Sequence, residues 1–126
     1  MTFARFAYGI AAGYGMVSLL PLYFLLDRIG HDAPPSITHA GFYYGFIGVT
    51  LLWQLIFILI AKDPVRFRPL MPIAIAEKFV YTVPVVILYA SGRLDISILR
   101  PSLVDPVFGL AFIAAYLRRP EATANA

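Results

Sequence analysis

An acid and a base stand side by side in a stretch of the chain that is otherwise almost entirely apolar. Glu77 and Lys78 interrupt the sequence PLMPIAIAEKFVYTVPVVIL, which runs from residue 69 to residue 88. Charged side chains are costly to place in lipid, so an ionisable residue in such a segment is by default a candidate functional site. The carboxyl group of Glu77 could exchange a proton, whereas Lys78 is expected to extend its ammonium group to the lipid–water interface.

Other polar and aromatic residues fall near the depth of Glu77 when each apolar stretch is counted as a helix. Tyr81 follows Glu77 by one turn on the same face, because residues four apart are neighbours on a helix. Glu77 could turn inward to Gln54 and Tyr81, or outward to the arginines of DPVRFRP, and both readings stay open. The predicted intramembrane cluster is Tyr14, Thr50, Trp53, Gln54, Glu77 and Tyr81.

A second candidate group combines imidazole and carboxylate side chains near the opposite ends of the helices: His31, Asp32, His39 and Asp105. These are metal-ligand types, but the two histidines lie in a loop and lack the i, i+4 spacing of a helical zinc site. The chain has no cysteine, and we predict no metal site and no cofactor. Asp105 is expected to cap its own helix, about 15 Å of helix away from Glu77.

The elements that must position these residues are membrane-spanning helices. The chain of 126 residues is 60% hydrophobic and 13% charged, against about 45–50% and about 25% in soluble domains. A helix needs about 20 apolar residues to cross a bilayer, and four stretches approach or exceed that length. We predict spans at 6–26, 41–61, 71–91 and 102–118. The predicted fold is all-α, a single transmembrane domain over residues 1–126 that forms an integral membrane four-helix bundle.

The orientation of these spans follows from the lysines and arginines in the short connections. Six lie at the termini and in the 62–70 loop, whereas three lie in the two other loops. Because cytoplasmic loops carry an excess of such residues, both termini and the 62–70 loop are predicted to be cytoplasmic, in the inner (plasma) membrane. The first group is Arg5, Lys62, Arg66, Arg68, Arg118 and Arg119, and the second is Arg28, Arg93 and Arg100. Glu77 and Lys78 are then expected within the first two turns on the cytoplasmic side.

Two pairs of glycines and two prolines bear on how the helices pack. Gly9 and Gly13 form one Gly-x-x-x-Gly pattern, and Gly41 and Gly45 form another. Small residues at that spacing permit close helix approach, which favours tight packing of the first two helices inside the bundle; the alternative is a dimer seam. Two prolines within the spans, at positions 21 and 84, are expected to kink their helices.

Three segments of the sequence carry a resemblance to known proteins. At THAGFYYGFIGVTLLWQ, DPVRFRPLM and AEKF the chain resembles a group of uncharacterised small bacterial four-span membrane proteins, over about residues 39–118. In size and topology it is also similar to the DoxX-like membrane proteins. The second resemblance implies an accessory role in quinone-dependent redox systems.

Three functions remain open from the sequence. The first is a non-enzymatic accessory subunit or a bundle that binds a small lipid or quinone. The second is a proton-coupled small transporter that acts as a dimer, with Glu77 as its coupling carboxylate. The third is a membrane enzyme that acts on a lipid or quinone, although no catalytic motif is present. Expected partners are the lipid bilayer and a homodimer or larger membrane complex, and no basic, aromatic-rich segment indicates nucleic acid.

Overall fold

The computed structural model describes residues 2–118, and helices make up most of that range. Two short 3-10 turns, Leu20–Phe24 and Arg68–Leu70, join or extend the helices. The part of the chain from residue 2 to residue 118 contains no β-strand. The helices are α1 (Thr2–Leu19), α2 (Leu26–Asp32), α3 (Ala40–Lys62), α4 (Met71–Val80), α5 (Thr82–Ala90), α6 (Ile96–Ser102) and α7 (Val104–Leu117).

These helices combine into four segments that are long and apolar enough to cross a membrane. They are segment 1 (Thr2–Phe24), segment 2 (Ala40–Lys62), segment 3 (Arg68–Ala90) and segment 4 (Ile96–Leu117). A helix of 23 residues is about 34 Å long, which exceeds the hydrocarbon core of about 30 Å. The prediction of an all-helical chain with four membrane-length helices is confirmed.

The predicted start of the fourth segment is wrong. Segment 4 begins at Ile96 rather than at residue 102, because the Asp95 carboxylate accepts a 2.8 Å hydrogen bond from the Ser97 backbone N–H and caps the helix there. In segment 3 the α-helix α4 begins at Met71, as predicted, and the 3-10 turn Arg68–Leu70 precedes it.

Two prolines interrupt segments 3 and 4. Proline lacks a backbone N–H, and its ring clashes with the carbonyl group four residues earlier in a helix. Segment 3 is interrupted at Tyr81, three residues before Pro84, and segment 4 at Leu103, three residues before Pro106. Tyr81 keeps right-handed helical dihedral angles (φ −85°, ψ −42°), and the expected kink from Pro84 stays a prediction. At the end of segment 1 the backbone from Leu20 to Phe24, around the proline at position 21, tightens to a 3-10 turn.

The two interruptions lie next to each other inside the protein. The Thr82 hydroxyl donates a 2.8 Å hydrogen bond to the carbonyl oxygen of Ser102, and both residues are buried. The Ser102 carbonyl lies four residues before Pro106, so it is the group that the proline deprives of a helical donor. A side chain on segment 3 thereby satisfies a backbone acceptor that segment 4 cannot satisfy itself.

The four segments form two hairpins. Segment 1 packs along segment 2, and segment 3 packs along segment 4, while α7 also contacts α1 and joins the hairpins. Segments 2 and 3 make only sparse contacts. The main apolar core lies among α1, α3, α4 and α7, where Tyr8 and Phe112 stack with their ring centroids 3.9 Å apart. The bundle is closed by this core and opens between segments 2 and 3.

Three contacts of arginine side chains bring one end of the bundle together. Arg5 donates a 2.9 Å hydrogen bond to the carbonyl oxygen of Lys62, and Arg68 donates one of 2.7 Å to that of Tyr116. The Arg118 guanidinium lies 4.3 Å from the centroid of the Phe3 ring. The predicted basic groups of segments 1 to 4 thus share an end, apart from Arg119, which lies outside the described residues.

Segments 1 and 2 do pack tightly, as predicted, but the glycine pairs do not form that contact, so their predicted role is wrong. Gly9, Gly13, Gly41 and Gly45 are all exposed, and an added Cβ at any of them would meet no atom within 4 Å. The close approach in this hairpin is instead at Gly15, where a Cβ would collide with the side chain of Gln54. The glycine spacing predicts a helix surface without bulky side chains, but it does not predict whether another helix packs there.

Candidate functional site

Lys78 lies inside the bundle rather than at the lipid–water interface. Its side chain is only 5% exposed. The rings of Phe57, Phe108 and Phe112 surround its ammonium group, with centroids 4.8, 5.6 and 6.0 Å from Nζ. The expectation that Lys78 extends to the membrane surface is therefore wrong. An ammonium group among aromatic faces gains cation–π attraction, but it also requires an anionic partner.

Two carboxylates supply that partner from two different segments. Lys78 Nζ lies 3.8 Å from Glu77 Oε2 and 3.7 Å from Asp105 Oδ1. Glu77 is 15% exposed and Asp105 29% exposed, so Lys78 is the innermost of the three. We call Glu77, Lys78 and Asp105 the charged triad. Asp105 does not cap its helix, since α7 begins without a side-chain cap, and it is not distant from Glu77 as predicted.

The charged triad lies near the middle of its segments. Lys78 is ten residues from Arg68 and twelve from Ala90, and Asp105 is nine residues from Ile96 and twelve from Leu117. At 1.5 Å per residue, each is about 14 to 18 Å from either end. Glu77 and Lys78 lie six and seven residues after Met71, where α4 begins, in agreement with the predicted first two turns of that helix. The 3-10 turn Arg68–Leu70 adds length before α4, and counted with it the triad lies near the middle of its segments.

A groove of about 530 Å³ lies between segments 2 and 3, where their contacts are sparse. Four residues of the predicted intramembrane cluster line it, namely Thr50, Trp53, Glu77 and Tyr81. Glu77 Oε2 is buried and has no hydrogen-bond partner within the described range 2–118. Neither reading of Glu77 is found as stated: its ion-pair partner is Lys78, and Gln54 lies elsewhere, while Glu77 and Tyr81 both line the groove.

The other two members of the predicted cluster lie elsewhere. Gln54 is buried beside Gly15, and its Nε2 donates a 2.9 Å hydrogen bond to the carbonyl oxygen of Thr50. Tyr14 is exposed and packs against Phe108, with ring centroids 5.5 Å apart. Both residues lie at about the depth of Glu77 along their own helices, which is why the sequence places them in the cluster. Position along a helix does not predict towards which neighbouring helix a side chain points.

A second cavity of about 430 Å³ lies nearer the α2 end of the bundle and includes Asp32. Phe46 and Tyr81 line both this cavity and the groove. Their ring centroids are 5.1 Å apart. The two rings therefore form part of the wall of both cavities.

The predicted outer group of His31, Asp32, His39 and Asp105 is not assembled. His31 Nδ1 lies 3.2 Å from Asp32 Oδ1, whereas His39 packs against the ring of Phe42 and Asp105 belongs to the charged triad. The hydrogen bond from His31 holds the pKa of the exposed Asp32 carboxyl below its ordinary value. In residues 2–118 no three histidine or acidic side chains are grouped as metal ligands.

The sequence contains a matched test of where Lys78 lies. Lys62 and Lys78 are its two lysines, and Lys62 is exposed. We expect an amine-reactive, water-soluble reagent to label Lys62 at least tenfold faster than Lys78, because a buried side chain does not reach a reagent dissolved in water. Peptide mass spectrometry of protein in mild detergent measures both rates. Equal labelling would contradict the burial of Lys78.

The charged triad is the best-supported candidate functional site in residues 2–118, because its two carboxylates outnumber its one ammonium group. Two carboxylates share one ammonium group, and all three are at least partly removed from solvent. No family model, curated protein or solved structure matches the chain. The resemblance to small bacterial four-span proteins and to DoxX-like proteins stays a prediction.

Proposed function

We propose that the chain is a multi-pass protein of the plasma membrane, with both termini and the 62–70 loop in the cytoplasm. Large apolar side chains are exposed on every segment, as for Phe6, Leu52, Val83 and Leu110, and a bilayer would cover them. Lysine and arginine in short connections favour the cytoplasmic side. The end of the bundle that Arg5 and the other basic side chains share supports the cytoplasmic assignment.

Within that membrane the protein is a small proton-coupled transporter with Glu77 as the coupling carboxylate. The observation that carries this proposal is the charge count of the buried triad, two carboxylates on one ammonium group. With all three groups ionised, one net negative charge remains in an apolar interior, which is costly. Binding one proton neutralises it. Loss of that proton leaves a charge that another cation can neutralise, and such an exchange is what coupled transport requires.

The interrupted helices support the same proposal. Transporters commonly place substrate and coupling-ion sites near the bilayer midplane, where membrane helices are discontinuous. Lys78 lies three residues before the interruption of segment 3, and Asp105 lies two residues after that of segment 4. The proline after each interruption removes one backbone hydrogen bond close to the charges, so bending the helix there costs less than in a regular helix.

The proposed working unit is a homodimer. Gly9 and Gly13 leave an open strip on the exposed side of segment 1. Small residues at this spacing allow a second helix to approach closely in a membrane, and a second copy of segment 1 presents the same strip. Segment 1 lies away from the groove, whose lining comes from segments 2 and 3.

A second candidate function is a non-enzymatic accessory bundle that binds a small lipid or quinone. The observation that favours it is the groove itself, which opens between segments 2 and 3 and is lined mainly by apolar and aromatic side chains. A neutral ligand would fill this space without reference to the charge of Glu77. Native mass spectrometry from gentle detergent would then show a retained lipid or quinone that survives Glu77→Gln.

Proton release in liposomes tests the transporter proposal. Purified protein is reconstituted with a pH-sensitive dye inside, a pH gradient is imposed, and a panel of quaternary ammonium ions, neutral solutes and anions is added. We expect at least one solute to dissipate the gradient in the wild type and no solute to do so in Glu77→Gln. Asp27→Asn, which removes an exposed acid in α2, should behave like the wild type.

The outcomes separate the candidate functions. A response that persists in Glu77→Gln would exclude Glu77 as the coupling group. A panel without any response, from protein that retains a lipid or quinone, would contradict transport and favour the accessory bundle. A response to a neutral or anionic solute would support coupling while excluding a cationic substrate.

A further inference from the structure

We propose that the groove between segments 2 and 3 binds an organic monocation with an apolar or aromatic body. This inference rests on the proposed function, because it names the class of substrate that Glu77 would exchange for a proton. It combines three features of the groove: the uncompensated charge beside it, the aromatic side chains along it, and the glycines that leave room in it.

The charge requires a single positive partner. Glu77 lines the groove, and its Oε2 atom is buried without a hydrogen-bond partner among residues 2–118. Lys78 is shared with Asp105 and so cannot neutralise both acids. One cation beside Glu77 would bring the triad to neutrality, whereas an anion would add a second uncompensated charge and a neutral molecule would leave the first.

The lining requires an apolar body on that cation. Segment 2 contributes Phe42, Phe46 and Trp53 to the groove, and segment 3 contributes Tyr81 next to Glu77. Aromatic faces attract cations, and the attraction is largest where water is excluded. A strongly hydrated metal ion would lose its water shell here for few oxygen ligands. A cation whose charge lies within or beside apolar groups suits the groove better.

The size of the groove comes from two glycines. Gly41 and Gly45 line the segment 2 wall, and the space next to each is open. The resulting volume of about 530 Å³ lies within the range of about 300–1,000 Å³ that holds small-molecule ligands. The second Gly-x-x-x-Gly pattern thus shapes a binding surface instead of a helix contact.

Proton and organic cation compete for the same negative charge. The titratable groups that face Glu77 are Lys78 and Tyr81 on its own segment and Asp105 on segment 4, while the groove residues of segment 2 are uncharged. The protonated triad is neutral, and so is the ionised triad with a bound monocation. Cation affinity should therefore fall as the pH is lowered, with one proton bound for each cation released.

Tetraphenylphosphonium and tetraphenylborate form a matched pair of probes, because they have nearly the same shape and opposite charge. Equilibrium dialysis of each ion against purified protein in mild detergent measures its affinity. Trp53 is the one tryptophan in the chain and lines the groove, so its fluorescence reports occupancy there. We expect saturable binding of one phosphonium ion per chain, a change in Trp53 emission, and no saturable binding of the borate.

Two kinds of variant test separately the net charge of the triad and the free volume of the groove. Glu77→Gln should weaken phosphonium binding about tenfold or more, and so should Asp105→Asn, since either makes the triad neutral. Gly45→Leu should weaken it by filling the groove, whereas Ala90→Leu enlarges an exposed side chain of segment 3 that does not line the groove and should leave binding unchanged. Circular dichroism confirms that each variant is folded. If either Glu77→Gln or Asp105→Asn unfolds, the other variant of these two tests the role of the charge.

Equal binding of both ions, or equal phosphonium binding by the wild type, Glu77→Gln and Asp105→Asn, would overturn the inference. The liposome measurement distinguishes this failure from that of the proposed function. A Glu77-dependent proton response to neutral or anionic solutes, without phosphonium binding, would leave the transporter standing and reject the organic cation. Phosphonium binding that requires Glu77, without any proton response, would leave the binding site standing and reject transport.

Discussion

Lys78→Met should lower the free energy of unfolding by about 3–5 kcal/mol, the largest effect expected of a single substitution in this protein. Methionine keeps an unbranched apolar stem but removes the positive charge. Glu77 and Asp105, which both lie within ion-pair distance of Lys78 Nζ, would then face each other without a cation. Removing one partner of a buried ionic group is costly because the remaining charges stay away from water.

Reversible unfolding in mixed detergent micelles measures this effect. Lys62→Met makes the same chemical change at the exposed end of segment 2 and should change stability by no more than about 0.5 kcal/mol. A Lys78→Met variant as stable as Lys62→Met would mean that Lys78 does not hold the two carboxylates. Glu77→Gln should be milder than Lys78→Met, because it leaves a one-to-one pair of Lys78 and Asp105.

The four membrane-length segments could be predicted because length and the absence of charge suffice to identify them. Segments 1 and 2 contain long charge-free stretches, and lipid imposes a helix on such stretches. The start of segment 4 could not be read in the same way. Arg100 and Asp105 interrupt its apolar run, so the helix was predicted to begin after the first of them. The Asp95 cap was the local signal that indicated the true start.

The charged triad could be predicted only in part. Glu77 was identified from its setting alone, since a lone acid in an apolar segment is conspicuous. Asp105 was misplaced because segment 4 was predicted to begin six residues too late, and Lys78 because depth does not indicate that a side chain faces inward. Pro106 was the available signal for Asp105, because a proline inside a helix interrupts it a few residues earlier, and interrupted membrane helices often adjoin ion sites.

Which faces meet inside the bundle could not be predicted. The segments are apolar on nearly every side, so no amphipathic pattern indicates the inner face. The glycine pairs marked smooth surfaces, yet Gly9 and Gly13 face outward, and the tight contacts are made by single glycines. Gly109 is one of these: an added Cβ would lie 2.6 Å from the ring of Phe79 and 3.2 Å from Cβ of Lys78. Such contacts depend on the angle and position at which two helices cross, and the sequence does not predict either of them.

The triple variant Glu77→Met, Lys78→Met and Asp105→Leu is expected to be at least as stable as the wild type, by about 0 to 4 kcal/mol. Apolar residues of similar volume often stabilise a protein when they replace a complete buried ionic group, because no charge then loses its hydration. The changes in the free energy of unfolding caused by the three substitutions should then not add up, because Lys78→Met alone is destabilising whereas the triple variant is not. Unfolding in mixed micelles, performed as for the single variants, gives the comparison.

The triple variant also separates a structural role of the triad from a functional one. If the triad serves only to hold segments 3 and 4 together, removing it should weaken the bundle. If it serves to exchange a proton for a cation, the bundle should remain intact or become more stable while the proton response in liposomes disappears. The cost of three partly buried charges near the middle of the segments favours the second result, because an apolar alternative for the same space is chemically simple. A destabilised triple variant that still exchanges protons would reverse this conclusion.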